Sequence, residues 1–236
     1  MSYKIGLISD VHATLDPLRD ALTLLREAGA ATILCAGDIA GYGVELEQTL
    51  ALLNDSGCRV ILGNHDLWWL ERHASDPAGP AAQSLRSLPR EIALEAAGKR
   101  VYMVHASPPA SLMDGIVLLD EQGDLIAGQQ QRWARALQDL PFDVLVVGHT
   151  HQVFAEQLGG VLVVNPGSTL FNHTCALLSL PERKVEFLAL GGREPLLAWN
   201  WGMMRGGGPG SLLPRRTFFR ENPVSLSAES NDIKML

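Results

Sequence analysis

Eight short apolar runs, several of them rich in β-branched residues, recur along the chain and predict buried β-strands. They occupy residues 3–9, 32–36, 58–62, 100–104, 143–147, 161–164, 175–180 and 184–190. Between the early runs the apolar residues change to helical spacing. A first helix is indicated by apolar residues at i, i+3, i+4 and i+7, namely Leu18, Ala21, Leu22 and Leu25. A second is indicated by Leu46, Leu50 and Leu53, and residues 129–140 are compatible with a third.

The order of these elements predicts the fold class. Strand and helix alternate at first, which favours parallel pairing and an α/β protein, while the later strands at short spacing indicate hairpins and a second, mixed sheet. We therefore expect two mixed β-sheets packed face to face as a sandwich, with helices on the outer faces, in a four-layer αββα arrangement. In open sheets of this kind ligands bind beyond the carboxyl ends of the strands.

Length and composition favour one domain followed by a tail. The chain has 236 residues, of which 47% are hydrophobic, enough for a single large core. We place the domain at residues 1–200. Residues 201–236 begin with a glycine-rich stretch and end in a polar one. We expect a linker and C-terminal tail that is flexible or packs on a neighbouring subunit, which leaves a homo-oligomer open.

Charge and cysteine content exclude several classes of protein. A formal net charge of −7 gives no basic surface for extended nucleic-acid binding. Cys35, Cys58 and Cys175 are odd in number and far apart, which indicates neither a disulfide framework nor a thiolate zinc site. Apolar runs stay well short of the ~20 residues of a membrane-spanning helix. We expect a cytoplasmic protein without a membrane partner.

The candidate chemistry lies in five polar signatures, each of which follows an apolar run. They are Asp10-Val11-His12, Gly37-Asp38, Gly63-Asn64-His65-Asp66, His105 and Gly148-His149-Thr150-His151. Five of the seven histidines fall within them, which is not expected of incidental surface or core histidines. Imidazole nitrogens with carboxylate and amide oxygens suit manganese, iron, zinc, nickel or cobalt. The signatures together therefore predict a metal site.

Taken singly, the signatures allow simpler interpretations. Asp10 followed by His12 is also the pattern of a helix N-cap beside a solvent-facing histidine, and Asp38 is also an ordinary turn residue. His105 alone is typical of a structural histidine at a strand end. The run from Asn64 to Asp66 is more specific, because three polar side chains in succession continue a buried strand poorly. If residues 149–151 stay extended, both imidazoles point to the same side.

The order of the five signatures resembles the calcineurin-like metallophosphoesterase superfamily, and most closely its compact bacterial and archaeal phosphodiesterase branch. The segments GDIAGYG at 37–43, HASP at 105–108 and VNPGS at 164–168 support the resemblance, which extends over about residues 3 to 190. It implies the two-sheet fold predicted above. It also implies two divalent transition-metal ions, manganese first, with iron, zinc, nickel or cobalt as alternatives.

The resemblance assigns a ligand set to each metal. One metal would be held by Asp10, His12, Asp38 and His151. The other would be held by Asp38, Asn64, His105 and His149. Asp38 would bridge the two ions, and a metal-bridging hydroxide would attack a small phosphoric ester substrate.

Further side chains are candidates for proton chemistry and substrate binding. We expect His65 to stabilise the developing charge or to protonate the leaving oxygen, with Asp66 orienting its ring. Trp68 is a candidate for stacking on a base, although one of two adjacent tryptophans is expected to belong to the core. Asn165 and Ser168 are candidates for substrate contact, but their sequence also forms a self-sufficient turn.

Departures from the family pattern bear on the substrate. Protein phosphatases of the superfamily carry an arginine soon after the bridging aspartate to grip a phosphomonoester, whereas Gly41-Tyr42-Gly43 occupies this stretch. We therefore favour a phosphodiester. The alternatives are a small-molecule phosphomonoesterase, a hydrolase of nucleotides or dinucleoside polyphosphates, and a catalytically silent binding scaffold like a retromer subunit related to the family. Ala13 and Ala106 stand where close relatives often have glycine.

Overall fold

Ten strands and five helices make up the fold of residues 2–199, the part of the chain that the computed structural model describes. The strands are β1 (Tyr3–Ile8), β2 (Thr32–Cys35), β3 (Arg59–Val60), β4 (Glu91–Ala96), β5 (Lys99–Val104), β6 (Val144–Val146), β7 (Val153–Leu158), β8 (Val161–Pro166), β9 (Thr174–Leu180) and β10 (Lys184–Ala189). The helices are α1 (Leu15–Glu27), α2 (Leu46–Asp55), α3 (Asn64–Arg72), α4 (Pro80–Arg86) and α5 (Ala127–Leu137). The predicted tail, 201–236, lies outside the described residues.

The strands form two five-stranded mixed sheets. The first has the order β10-β9-β1-β2-β3, and the second has the order β4-β5-β6-β8-β7. In the first sheet β1, β2 and β3 run parallel, while β9 is antiparallel to both β1 and β10. In the second sheet β5, β6 and β8 run parallel, with β4 and β7 antiparallel at the edges.

Side-chain alternation along the strands separates three layers of core. In β2, Leu34 faces the second sheet, whereas Ile33 and Cys35 pack under the helices. In β5, Met103 faces the first sheet, whereas Tyr102 packs on the outer side with α5. Because successive strand residues point to opposite faces, each sheet contributes both to the central core and to an outer one. This confirms the predicted αββα sandwich.

Helix α1 shows why the first outer layer forms where it does. Its buried face consists of the predicted residues Leu18, Ala21, Leu22 and Leu25. At Gly6 in β1 a Cβ atom would come within 2.9 Å of Leu25 Cδ1, so the missing side chain lets the helix lie close to the sheet. Leu46 and Leu53 of α2 and Leu85 of α4 complete the same core.

Two features of the sheets differ from the sequence expectation. The late runs become β9 and β10, which return to the first sheet beside β1 instead of joining the second. In addition, β4 and β7 were not predicted, because charged or amide side chains interrupt their apolar residues. Pairing between strands distant in sequence is decided by tertiary packing, which local patterns do not reveal.

Candidate metal centre

Every predicted ligand lies just beyond the carboxyl end of a parallel strand. Asp10 and His12 follow β1, Asp38 follows β2 and Asn64 follows β3, while His105 follows β5 and the pair His149 and His151 follows β6. Because β1, β2 and β3 belong to one sheet and β5 and β6 to the other, the site is built jointly by both sheets at one end of the sandwich.

The backbone at these strand ends adopts an unusual conformation. Nine described non-glycine residues have positive φ angles, between 48° and 67°. Five of the nine are predicted ligands, namely Asp10, His12, Asp38, His149 and His151. Such a conformation costs about 1–3 kcal/mol at each residue and is concentrated at functional sites. The fold therefore accepts strain in order to aim these side chains at one place.

Two imidazoles meet in the first half of the site, which we call the His12 half. His12 Nε2 lies 3.0 Å from His151 Nε2, and His151 Nε2 lies 3.5 Å from Asp10 Oδ1. The other ring nitrogen of His12, Nδ1, lies 3.2 Å from the carbonyl oxygen of Ala40. This carbonyl can only accept, so Nδ1 carries the proton and Nε2 presents a lone pair.

In the second half, which we call the His105 half, a histidine Nδ1 again lies beside a backbone carbonyl oxygen, but Nε2 has different partners. His105 Nδ1 lies 2.7 Å from the carbonyl oxygen of Ala36, so it carries a proton. His105 Nε2 lies 2.8 Å from Asn64 Oδ1 and 3.4 Å from Asp38 Oδ1. His149 Nδ1 lies 2.8 Å from the same amide oxygen of Asn64.

The electrostatics of the two buried histidines run in opposite directions. Burial lowers the pKa of His12 to about 4, against the attraction of Asp38 and Asp10. Burial would lower the pKa of His105 as well, but the carboxylate of Asp38 beside it raises this pKa to about 9. The pKa values of the two carboxylates are shifted as well. Burial alone would raise the pKa of Asp10 and Asp38, yet the histidines hold both below their usual value.

This arrangement fits divalent metal ions. Ligand atoms lie within 4.8 Å of one another in two groups, Asp10 with His12 and His151, and Asp10 with Asp38 and His105. Lone pairs from imidazole and carboxylate groups converge in each half, joined by the amide oxygen of Asn64 in the His105 half, and such convergence is unfavourable in a buried place without a cation. A proton on His105 supplies part of that charge when metal is absent. Asp10 is common to both groups, and bridging by Asp38 stays a prediction.

Asp66 has a different task from the one expected. It is fully buried, and its two carboxylate oxygens accept hydrogen bonds from the backbone amides of Ala40 at 2.7 Å and Gly63 at 2.8 Å. Both oxygens are thus engaged by backbone, and the expectation that Asp66 orients the His65 ring was wrong. The side chain instead joins the loop after β2 to the start of α3. Burial raises its pKa to about 7.

Asn165 and Ser168 support the site from behind. Both are fully buried, which contradicts the predicted substrate contact. Asn165 Nδ2 donates to the carbonyl oxygen of Gly148 and to Thr150 Oγ1, each at 3.0 Å, and so fixes the loop with both late histidines. Ser168 Oγ donates to the carbonyl oxygen of Asp10 at 2.6 Å. The self-sufficient turn considered for this segment thus also positions ligands.

Two glycines permit the close approach of the loops. A Cβ atom at Gly63 would overlap Asp38 Oδ1, and one at Gly148 would overlap Ser9 Oγ. Asn172, which the sequence analysis did not single out, donates from Nδ2 to the carbonyl oxygen of His151 at 2.9 Å. Nothing in its local sequence distinguishes it from a turn residue.

His65 lies at the mouth of the site. Its backbone N–H donates to Asp38 Oδ1 at 2.8 Å, and its ring Nε2 lies 3.2 Å from Tyr42 Oη. Burial lowers the pKa of His65, against the attraction of Asp38 and Asp10. The ring of Trp68 follows, with its centroid 4.8 Å from that of His65. By contrast, Trp69 stacks on His73 and packs against the helix-side core.

A large groove elsewhere in the molecule is distinct from this centre. It has a volume of about 420 Å³ and is lined mainly by residues of α2 and α4, including Leu50, Ala51 and Ser84. None of its lining residues is a predicted ligand. Size alone therefore does not mark the site, whereas convergent polar groups do.

The fold and the donor set define a protein with a metal centre at the strand ends of a two-sheet αββα sandwich. The sequence model of the calcineurin-like phosphoesterase superfamily domain matches residues 3–180, and the chain belongs to this family. It is accordingly a metal-dependent phosphoester hydrolase. No helix among residues 2–199 is long and apolar enough to cross a bilayer.

Similar proteins are found among archaea and bacteria. The chain is 28% identical over 179 residues to the uncharacterised protein MJ0912 of Methanocaldococcus jannaschii, covering 69% of this chain and 68% of that one. Hypothetical protein PH1004 of Pyrococcus horikoshii has a similar structure, with a TM-score of 0.65 and 18% identity. The match covers 86% of this chain and 91% of that one. A metallophosphoesterase of Sphaerobacter thermophilus also has a similar structure. Its TM-score is 0.60 at 20% identity, and the match covers 80% of this chain and 89% of that one. The two structural likenesses concern the fold.

Proposed function

We propose that this protein is a dinuclear-metal-dependent phosphodiesterase. The observation that carries the proposal is the convergence of seven ligand side chains from both sheets into two adjoining halves. The donors are Asp10, His12, Asp38, Asn64, His105, His149 and His151. Their nitrogens and oxygens suit manganese, which we propose as the first metal, with iron, zinc, nickel or cobalt as alternatives.

The two ions, when bound, would activate a water molecule as the nucleophile and neutralise charge on the phosphate oxygens. The protein's own contribution is to hold the ligands in place before the reaction. Carbonyl oxygens of Ala36 and Ala40 fix the ring orientation of His105 and His12, which leaves one nitrogen of each ring directed into the site. The ligands can be held in this way without any movement of the strand ends.

Tyr42 supports a diester as substrate. Its ring centroid lies 4.7 Å from that of His12. It belongs to the stretch after Asp38 in which protein phosphatases of the superfamily carry an arginine. Burial raises the pKa of its hydroxyl to about 12, so the side chain is neutral at physiological pH. A phosphomonoester carries up to two negative charges and a diester only one. A neutral side chain at this position compensates the extra charge of the monoester poorly.

His65 would act on the leaving group. Because its pKa is lowered, the ring is neutral near pH 7 and would donate an N–H hydrogen bond to the oxygen on which charge develops. We predict that His65→Ala lowers kcat about 10²-fold and that the loss grows as the leaving group becomes poorer. Metal content should not change. An equal loss of kcat for good and poor leaving groups would show that His65 does not act on the leaving group.

The function is tested by substrate panels on reconstituted protein. Metal-stripped protein is loaded with manganese, iron, zinc, nickel or cobalt and assayed with p-nitrophenyl phosphate, bis(p-nitrophenyl) phosphate and a dinucleoside polyphosphate. We expect the diester to give the highest kcat/KM. Preference for the monoester with every metal would overturn the proposal in favour of a phosphomonoesterase, and preference for the polyphosphate would favour the nucleotide alternative. Protein that binds no metal and stays inert would be a scaffold.

A further inference from the structure

A row of aromatic rings leads from the metal ligands to the surface. The ring centroids of His12 and Tyr42 lie 4.7 Å apart, those of Tyr42 and His65 lie 4.9 Å apart, and those of His65 and Trp68 lie 4.8 Å apart. Each ring in the row thus contacts the next. The row begins at a ligand of the His12 half and ends at the outermost ring, Trp68.

The two ends of this row differ in exposure. His12 is fully buried, whereas Tyr42 is 42% exposed and Trp68 is 38% exposed. Within residues 2–199, these two are the aromatic members of the exposed large hydrophobic side chains. The neighbouring Trp69 shows that the helix also offers a packed position for an indole, since it stacks on His73 at 4.0 Å between centroids. Trp68 therefore presents apolar surface to solvent beside the reacting centre.

The rings are held in place from behind. The centroid of Phe171 lies 5.3 Å from that of Tyr42 and 5.1 Å from that of His151, and Phe171 is itself buried. The hydroxyl of Tyr42 is fixed by the ring nitrogen of His65. A platform that is ordered before a ligand arrives loses little side-chain freedom on binding.

We propose that Tyr42 and Trp68 form an aromatic subsite that stacks on the base of a nucleoside phosphodiester while its phosphate lies at the metal ligands. The inference rests on the proposed phosphodiesterase function and names the substrate class of that site. A nucleoside is a phosphate-esterified group that carries a flat aromatic ring, and neutral side-chain rings accept any base because every base has a π-face.

The substrates of the test share one leaving group. The p-nitrophenyl ester of thymidine 5′-phosphate is compared with methyl p-nitrophenyl phosphate on the manganese-loaded full chain, so that the departing phenolate is the same. We expect a kcat/KM about tenfold or more higher for the thymidine ester, mainly through KM. Binding is measured separately by calorimetry, with adenosine 5′-monophosphate and ribose 5-phosphate as a pair that differs only in the base.

Paired variants assign the effect to the rings. Trp68→Leu and Tyr42→Leu should lose most of the preference for the thymidine ester and for adenosine 5′-monophosphate, whereas Trp68→Phe and Tyr42→Phe should keep much of it. Trp69→Phe, a change of the neighbouring packed tryptophan, is the control and should keep the whole preference. Thermal unfolding of each variant shows whether the fold is intact.

The outcomes separate this inference from the proposed function. Hydrolysis of both diesters at equal kcat/KM, or an unchanged preference in Trp68→Leu and Tyr42→Leu, would overturn the subsite and leave the phosphodiesterase standing. If neither diester is cleaved, the proposed function fails, and the calorimetric pair still decides the subsite. Equal affinity for adenosine 5′-monophosphate and ribose 5-phosphate would then overturn it.

Discussion

The two halves of the metal centre contain matched histidines with opposite electrostatics. His12 and His105 are both fully buried, and each directs Nδ1 to a backbone carbonyl oxygen. Yet the pKa of His12 falls to about 4, while that of His105 rises to about 9. The difference follows from the balance of burial and charge. At His12 burial outweighs the attraction of Asp38 and Asp10, whereas at His105 the carboxylate of Asp38, 3.4 Å from Nε2, outweighs burial.

This comparison shows that equal burial does not imply equal metal chemistry. A metal entering the His105 half must displace a proton at neutral pH, because a ligand nitrogen has to be unprotonated. A metal entering the His12 half meets a ring that is already neutral. Metal binding should therefore release a proton from His105 at pH values up to about 9, whereas His12 should release none above about pH 5.

Removal of the Asp38 carboxylate, which raises the pKa of His105, should have the largest effect on activity. Asp38→Asn takes the charge away from His105 and from the backbone N–H of His65, and it weakens the ligand set of the His105 half. We expect kcat/KM for a diester to fall at least ~100-fold, because even residues behind metal ligands cost about 10–100-fold. Activity and metal content by mass spectrometry give the measurement.

Asp16→Asn is the matched control for that variant, since Asp16 is an exposed aspartate paired with Arg19 on the surface of α1. It should retain full activity and metal content. Wild-type activity in Asp38→Asn would show that the carboxylate does not set the properties of the His105 half.

A change of Asp66 should weaken the His12 half. Asp66 holds the amide of Ala40, whose carbonyl oxygen orients His12. In Asp66→Asn one amide donor of the backbone loses its acceptor and faces the new NH₂ group, at a cost of about 1–3 kcal/mol in the free energy of unfolding. We also expect metal affinity to fall about 10–100-fold. Chemical unfolding and metal titration measure the two effects, and unchanged values in both would contradict this positioning role.

Titration of metal-free protein should separate the two histidines directly. NMR of the imidazole nitrogens should give pKa values of about 9 for His105 and about 4 for His12, on either side of the ordinary 6.5. In Asp38→Asn the pKa of His105 should drop, because burial is then opposed only by the charge of Asp10 and the hydrogen bond to the Ala36 carbonyl oxygen. Titration of both rings near pH 6.5 would contradict the comparison.

The same shifts give stability contributions of opposite sign. The raised pKa of His105 stabilises the metal-free fold below pH 6.5, and this contribution is lost as pH rises through about 9. The lowered pKa of His12 leaves the fold unperturbed above pH 6.5 and destabilises it progressively as pH falls from 6.5 to about 4. Chemical unfolding at several pH values should show each slope reduced in the corresponding His→Gln variant.

The ligand positions could be predicted from sequence because strand ends carry local signals. Apolar runs locate the strands, glycines such as Gly63 allow close approach, and the parallel order brings the ends together. The direction of a side chain within a loop has no such signal. Asp66 was expected to orient His65, and Asn165 and Ser168 were expected to contact substrate, yet the structure turns each toward the backbone of a neighbouring loop.

Pairing over long distances was also beyond the local pattern. The residues of β9 and β10 predict strands but not their place beside β1, which is decided by packing of the two sheets. Likewise, a helix with two adjacent tryptophans indicates that one of them packs on the core, but only the structure shows that it is Trp69, which is partly buried there. Trp68 thereby becomes the candidate for substrate contact.

The central claim is that two metal ions, one in each half, are needed together for hydrolysis of a diester. The most direct measurement is the titration of metal-stripped protein with Mn²⁺ at pH 8 while hydrolysis of bis(p-nitrophenyl) phosphate is followed. We predict no activity without metal and a plateau reached only when two ions are bound per chain. A plateau at one ion per chain, or full activity of the stripped protein, would contradict the account.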